Sequence, residues 1–416
     1  MPPAPEALVS DPRLRLTFGE VRTVLPDGLQ PFLLGLNDGT LVLQAQLSGR
    51  PSPAERIFFP FILRTMISHD GGATWAHRCD APDDSRLTIE GGAVELRAGG
   101  VLVLDTYVTP GPRPGTGIGT LYHSTDGWRT LTGPEPVTFN LPNARFHGST
   151  DDAGQPHPAL RLHRRILELP NGDLLTTLYG WLEGDDTPVD YMPTMKKMRV
   201  MLLRSRNRGR HWDLVSTVAA DPATGTEGLN EPALVRLRHG LKAGRLVCLM
   251  RTGRELHEAL SDDEGLTWSA PVPRVFAGLD VYRTELWADM FRDTKDHHGA
   301  PIAGNPVEMI GAAVDPDLLE LRSGVLVAAF GLRVPPRLCW PHAQHPWNGN
   351  YLAFSLDHGA TWSHVVRLTS GLPTTHNLAI AELPGKNRFY VAYDSGYWSV
   401  ERAALGRSVQ VDFTAP

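Results

Sequence analysis

The sequence predicts an all-β fold, a six-bladed β-propeller of four-stranded antiparallel blades running as one domain over residues 1–416, and three observations predict it. A turn phrase recurs along the chain, a hairpin signature recurs in register with it, and no apolar pattern calls for a long helix.

The turn phrase reads Ser68-His69-Asp70-Gly71-Gly72-Ala73-Thr74-Trp75, then Ser261-Asp262-Asp263-Glu264-Gly265-Leu266-Thr267-Trp268, then Ser355-Leu356-Asp357-His358-Gly359-Ala360-Thr361-Trp362. Two worn copies run from Ser124 to Trp128 and from Ser205 to Trp212. An Asp or Asn at the third position accepts from the backbone N–H groups of a tight turn, Gly supplies the positive φ, and Trp packs back between neighbouring sheets. Each copy therefore predicts a turn joining two outer strands, a folding device with little chemistry of its own.

Between these turns lies a short apolar strand, a turn, and a second apolar strand. The six copies open on Gln30, Glu90, His163, Glu231, Asp315 and Asn377, and turn at Gly39, Gly100, Gly172, Gly244, Gly324 and Asn387. The turns fall roughly 60 to 80 residues apart, room for a four-stranded blade with its loops. Each hairpin supplies the two inner strands of a blade. The segment 14–24 is expected to complete the sixth blade, which closes the ring and removes an exposed sheet edge.

Composition agrees with a large globular core: 41% hydrophobic, 21% charged, with 41 Gly and 35 Pro for many turns. A net charge of −6 and the lack of a Lys/Arg run argue against a nucleic-acid partner. The start, Met1-Pro2-Pro3-Ala4-Pro5-Glu6, has no basic and apolar leader, and no apolar stretch of about 18 residues follows, so a cytoplasmic protein without a membrane partner is expected. Cys79, Cys248 and Cys339 are odd in number and widely spaced, neither a disulfide framework nor a zinc site. Asp296-His297-His298 lacks metal-ligand spacing, and neither metal nor cofactor is expected.

With inner strands around an axis, the six opening residues ring one mouth. Antiparallel return brings Gln46, Tyr107, Tyr179, Arg251, Gly331 and Asp394 to the same mouth, with Arg333 two residues beyond Gly331. Strand ends are often polar because they meet water, but agreement in one register across six blades favours a concave ligand site. Glu231 and Arg251 weigh most, as an acid and a base side by side. Two insertions are candidate walls: segment 333–351, whose Trp340 and Trp347 suit stacking on a sugar face, and loop 280–287.

The turn phrase is the Asp-box, and Asp-boxes on six such blades resemble the sialidase (neuraminidase) superfamily over nearly the whole chain. Asn230-Glu231-Pro232-Ala233-Leu234-Val235, followed by Val247-Cys248-Leu249-Met250-Arg251, is similar to the family segment that bears its active-site Glu and the second arginine of its carboxylate-binding triad. Arg333 is similar in placement to the third arginine. The resemblance implies a carbohydrate substrate and a bidentate guanidinium grip on an acidic sugar. Three expected parts are missing. Leu29-Gln30-Pro31 stands where the first arginine belongs, Thr375-His376-Asn377 stands where the nucleophilic tyrosine belongs, and none of Asp70, Asp80, Asp83 and Asp84 is anchored as the acid/base. Arg164, Arg165 and Tyr282 are candidate replacements.

The expected function is hydrolysis of an acidic or unusual sugar. Glu231, held ionised by Arg251, suits a base; Asp315 or Glu90, desolvated, suits an acid; Tyr179 or Tyr107 stands in for the missing nucleophile. Arg251, Arg333, Arg164, His163, His376, Asn377, Tyr107 and Trp347 are the expected substrate contacts. Two other readings remain open: a non-catalytic glycan-binding or assembly propeller, and a polysaccharide lyase in which His163 or His376 takes a proton beside a uronic acid carboxylate.

Overall fold

Six hairpins form where the repeated signature places them, and each gains two further strands to become a blade. The computed structural model describes residues 4–51, 61–81, 87–146, 149–150, 158–279, 311–334, 345, 347–370, 374–385, 387–397 and 401–414. Asp83, Asp84, loop 280–287 with Tyr282, the Asp296-His297-His298 run, Cys339, Trp340 and His342 lie outside the described residues.

From the axis outward, blade 1 is Gly28–Gly35, Leu41–Pro51, Phe61–Ser68 and Ala76–Ala81. Blade 2 is Ala93–Glu95, Val101–Leu104, Thr116–Ser124 and Thr132–Asn140, and blade 3 is Leu160–Glu168, Leu174–Leu182, Arg199–Ser205 and His211–Ala219. Blade 4 is Asn230–Arg236, Leu246–Arg251, Leu256–Ser261 and Val272–Arg274. Blade 5 is Ala312–Glu320, Leu326–Arg333, Gly349–Ser355 and His364–Arg367, with Glu6–Val9 added at its outer edge. Blade 6 is Leu378–Leu383, Arg388–Ser395 and Ala403–Phe413, and Leu14–Phe18 pairs with Ala403–Phe413 as its fourth strand. Arg22–Pro26 pairs with the other half of Ala403–Phe413, so the expected closure uses two N-terminal strands.

Apolar side chains fill every seam of the ring. Blades 4 and 5 share a core around Phe276, Phe330 and Trp362, and blades 5 and 6 share one around Phe354 and Phe389. The remaining seams are built likewise, down to the one between blades 6 and 1, where Ala392 and Ala404 meet Leu43 and Ile62. Strands such as Leu326–Arg333, covered on both faces, read as the continuous apolar run Leu326-Val327-Ala328-Ala329-Phe330. Each large buried side chain of this kind contributes about 1.5–3 kcal/mol.

The turn phrase folds as its spacing predicts, between the two outer strands of blades 1 to 5. In the first copy Asp70 accepts from Thr74 N at 2.9 Å and Thr74 Oγ1 at 2.6 Å, and Gly72 N donates to Ser68 Oγ at 2.8 Å. The same bonds recur at Asp126, Asp263 and Asp357, and Asn207 accepts from His211 N at 2.9 Å. The Thr74, Thr130 and Thr267 donors hold Asp70, Asp126 and Asp263 down at about 2. In the second copy Trp128 itself takes the positive-φ site, at 68°, and is wholly buried between blades 1 and 2. Blade 6 has no such turn, because its outer strands come from opposite ends of the chain.

A second repeated bond runs between blades. Glu95, Glu168, Glu320 and Glu382 close inner strands of blades 2, 3, 5 and 6. Each accepts the backbone N–H of the preceding blade's hairpin turn: Asn37 at 2.6 Å, Arg97 at 2.7 Å, Arg238 at 2.6 Å and Arg322 at 2.8 Å. At the equivalent positions of blades 1 and 4 stand Gly35 and Arg236, and the matching turn residues of the preceding blades are Pro384 and Pro170. Proline has no N–H to offer, so a carboxylate there would lack its partner.

Glu320→Ala leaves the N–H groups of Arg238 and His239 without their acceptor and is expected to lower stability by about 2–3 kcal/mol. Arg236→Ala, at the equivalent position without a staple, is expected to stay within about 0.5 kcal/mol of the parent. Urea unfolding of the two variants checks this, and equal losses would show that the N–H bond does not matter.

Candidate active site

The mouth of the ring is shaped by backbone bulges. In blades 1, 3, 4 and 5 the inner-strand ladder skips residues 30–31, 164–165, 231–232 and 315–316. The first residue of each pair has positive φ: Gln30 at 53°, Arg164 at 70°, Glu231 at 40° and Asp315 at 50°. His376, at 67°, does the same just ahead of Leu378–Leu383, and Gly92, at 99°, does so in blade 2. Such non-glycine conformations cost about 1–3 kcal/mol each, and bulges of this type re-aim side chains. Pro31, Pro232 and Pro316 fit the second place because no ladder bond is lost there.

This register corrects the alignment of opening residues at three blades. Arg164, not His163, is the counterpart of Glu231 and Asp315, since the stretch from bulge to turn glycine is one residue shorter in blade 3 than in blades 1 and 5. In blade 6 the counterpart is His376, not Asn377. Glu90 does not open a strand but sits in the short 3-10 turn Ile89–Gly91. Close crossing forces that turn: a Cβ on Gly91 would lie 2.7 Å from Leu104 O, and one on Gly92 2.9 Å from Arg164 O.

Glu231, Asp315 and Glu90 converge nonetheless. Glu231 Oε1 accepts from Arg251 Nη1 at 2.7 Å, and Oε2 accepts from Asp315 N at 3.1 Å. Asp315 pairs with Arg164 Nη2 at 2.5 Å through Oδ1 and accepts from Leu378 N at 2.9 Å through Oδ2. His163 Nδ1 lies 2.9 Å from Pro232 O. A carbonyl only accepts, so Nδ1 carries the proton, and bare Nε2 faces Glu90 Oε1 at 3.8 Å and Asp315 Oδ1 at 4.0 Å. Nε2 thus lies between the two carboxyls, whose facing oxygens are less than about 8 Å apart.

Burial sets their charge states apart. It opposes ionisation of Glu231, but Arg251 and then Arg333 outweigh it and hold this carboxyl below its ordinary value. Glu90 is pushed up to about 7 by burial, against the pull of Arg161. Asp315 is driven upward by burial against Arg164. Burial and Arg164 keep His163 neutral, and burial with Arg333 does the same for His376. Burial raises Tyr107 and Tyr179, so both are hydroxyl donors at neutral pH.

Several expected contacts are committed to the protein. Arg164, 3% exposed at its side chain, also donates to Asp315 O and Leu378 O. Arg165 is held by Asp317 and Ile380 O. Both are struts between blades 3, 5 and 6 rather than replacements for the missing arginine. Arg333 donates to Thr375 O at 2.9 and 3.3 Å, next to buried His376 and Asn377, whose Oδ1 accepts from Thr375 Oγ1. Only glycine fits at Gly331 beneath this loop, since a Cβ would fall 2.0 Å from His376 O. Trp347 lies under Arg367 of the fourth strand of blade 5, His364–Arg367, and does not join the cluster. Asp80 is bound by Arg64 and His77 and held at about 2.

Two residues escaped the sequence reading. Glu227 takes Arg251 Nη2 at 2.8 Å and Tyr191 OH at 2.9 Å, so Arg251 is clamped between two carboxylates. Arg161 lies between Tyr107 and Tyr179 in adjacent strands, and its place two residues before His163, on the same strand face, was the available signal. Among the described residues no group of three or more His, Cys, Asp or Glu stands where a metal could be held.

No protein-family model matches the chain, and no curated protein does. Solved structures do. A protein of unknown function from Dyadobacter fermentans superposes over 96% of this chain and 100% of its own, with a TM-score of 0.61 at 16% identity. The Hadza microbial sialidase Hz136 covers 94% of this chain and 68% of its own, with a TM-score of 0.56 at 14% identity. An α-L-arabinanase from Penicillium chrysogenum, solved with arabinobiose, covers 94% and 98%, with a TM-score of 0.54 at 12% identity. The chain shares their fold. The likeness to propeller glycosidases, a sialidase among them, agrees with the architecture that the repeats predict.

The proton on Glu90 stabilises the folded state, because its folded value of about 7 lies above the ordinary 4.5. That contribution is complete below the ordinary value and disappears as pH rises through about 7. Melting temperature is therefore expected to decline across this window, and Glu90→Gln to flatten the decline. An unchanged profile in the variant would place the titration elsewhere.

Proposed function

We propose that the chain is a glycoside hydrolase of the sialidase-like group, acting at this mouth on the glycosidic bond of an acidic or otherwise unusual sugar. One observation carries the reading: carboxyls gathered on one centre whose environments push their proton affinities apart, Glu231 toward the anion and Glu90 toward the acid. That split assigns the two halves of glycoside chemistry. Support comes also from the fold, which the sialidase and the arabinanase share.

In this mechanism Glu90 protonates the leaving oxygen. It is the one member of the trio whose oxygens accept no hydrogen bond from the described residues, while both oxygens of Asp315 are taken by Arg164 and Leu378 N. Glu231, kept anionic by Arg251, acts on the anomeric carbon directly or through water. Asp315 orients Glu231 through its backbone N–H and shares the field at His163. Tyr179, with its proton held more firmly than usual, serves as a donor to substrate or transition state, which leaves the nucleophilic or basic role to Glu231.

Fluorophore release from 4-methylumbelliferyl α-sialoside, β-glucuronide and α-L-arabinofuranoside tests the reading. Glu231→Gln and Glu90→Gln are each expected to lower kcat/KM by roughly 10²–10⁴ on whichever glycoside is cleaved. Glu90→Gln should also remove the fall in rate on the alkaline side of about 7. No release from any of the three at high enzyme concentration, or an unsaturated product absorbing in the near ultraviolet, would sink the hydrolase assignment.

A further inference from the structure

We propose that Tyr107, Arg161 and Tyr179 form the anion-recognition element of this cup, receiving an oxyanionic substituent of the sugar, carboxylate or sulfate. The inference rests on the preceding reading only in taking the cup to be a sugar site. Its basis is a ladder. Arg161 is the direct cross-strand partner of Tyr107 on one side and of Tyr179 on the other, so the three side chains stand at one level on one face. The guanidinium carbon lies 5.7 Å from the Tyr107 ring centre, and Nη1 reaches Tyr179 OH at 3.5 Å. His163, edge-on to Tyr179 with ring centres 5.9 Å apart, ties the ladder to Glu90 and Asp315.

What Arg161 lacks is a counter-charge. Arg161 Nε is buried and bonded to nothing, and no carboxylate of the described residues comes within 4.0 Å of this guanidinium. The acid that acts on it through space is Glu90, whose proton affinity burial raises to about 7, so its negative charge is only partly developed near neutrality. A covered guanidinium without a counter-charge is costly. Two other arginines of the mouth have met that need internally, Arg164 on Asp315 and Arg251 on Glu227 and Glu231. A guanidinium with no carboxylate of its own among the described residues, beside the Tyr179 hydroxyl, suits an oxyanion, and the register of three strands holds it in place before the anion arrives. The family's arginine positions, where this chain retains them, are occupied. The arginine without a carboxylate partner among the described residues lies on blade 3.

Binding of free sugars by titration calorimetry at pH 7 tests this without any need for turnover. The probes are glucuronic acid and N-acetylneuraminic acid against their methyl esters, with glucose 6-sulfate against glucose as the sulfate arm. At least one acid is expected to bind roughly 10-fold or more tightly than its neutral counterpart, and Arg161→Met to bring that ratio close to one. Tyr179→Phe should reduce the ratio part-way, and Arg161→Lys, which keeps the charge and serves if the Met variant does not fold, should reduce it several-fold. Equal binding of acid and neutral probe, no binding of any acid at millimolar concentration, or a preference that survives both Arg161 variants would overturn the proposal. Acid preference without glycoside turnover would sink the hydrolase reading alone, and turnover confined to the neutral arabinofuranoside with no acid preference would sink this one alone.

Discussion

A carboxylate on one blade holding a backbone N–H of another is the bond on which this ring depends. On one face Glu95, Glu168, Glu320 and Glu382 each hold the hairpin turn of the blade before. At the mouth Asp394 holds Gln30 N, Glu231 holds Asp315 N, Asp315 holds Leu378 N, and Asp317 holds Ile380 N. Apolar seams supply the bulk of the stabilisation, but they have no direction. The hydrogen bonds set how far one blade can slide or rotate against the next, and an unmet one in these buried seams costs more than a met one gains. The proline positions make the point chemically: Pro170 and Pro384 fall where the next blade has no glutamate.

The candidate site is built from the same bonds. Three of the positive-φ residues, Gln30, Asp315 and Glu231, are either donors or acceptors in the interblade links at the mouth. Their strain is therefore held by the ring, and the ring is held by their side chains or amides. Glu231 shows the economy of this: Oε2 serves the fold through Asp315 N while Oε1 faces Arg251. A side chain fixed at both oxygens loses little freedom when a substrate arrives, which is what a preorganised carboxylate requires.

How much of this was legible depends on whether the information was local. The turn phrase was legible because Ser68, Asp70, Gly72 and Thr74 satisfy one another within seven residues. Closure by segment 14–24 was legible because the sixth hairpin lacked a fourth strand. Glu231, Asp315 and Glu90 were legible as residues ahead of an apolar strand, but their alignment with His163 and Asn377 was off by one. A bulge adds or removes a residue without changing composition, and only the ladder bonds reveal it. The four glutamate staples lay in view in the repeats, and their meaning required pairing each with the turn of a different blade, some 58 to 82 residues away. Arg161 and Glu227 were missed because each acquires its role from partners on neighbouring strands.

Arg164 shows what a bulge does to an arginine. Two adjacent arginines opening the third blade, Arg164 and Arg165, invite a reading as a double cationic contact for an acidic substrate. The bulge turns Arg164 inward across the axis to Asp315, and Arg165 reaches Asp317, so both cations close the ring between blades 3 and 5. Arg161, three residues earlier and still within the regular ladder, keeps a strand-like side chain held between two tyrosines. A guanidinium in a bulge has free access to backbone carbonyls and carboxylates of other blades and is consumed by them. Arg161, in the ladder, stays between its cross-strand neighbours, and here both are tyrosines.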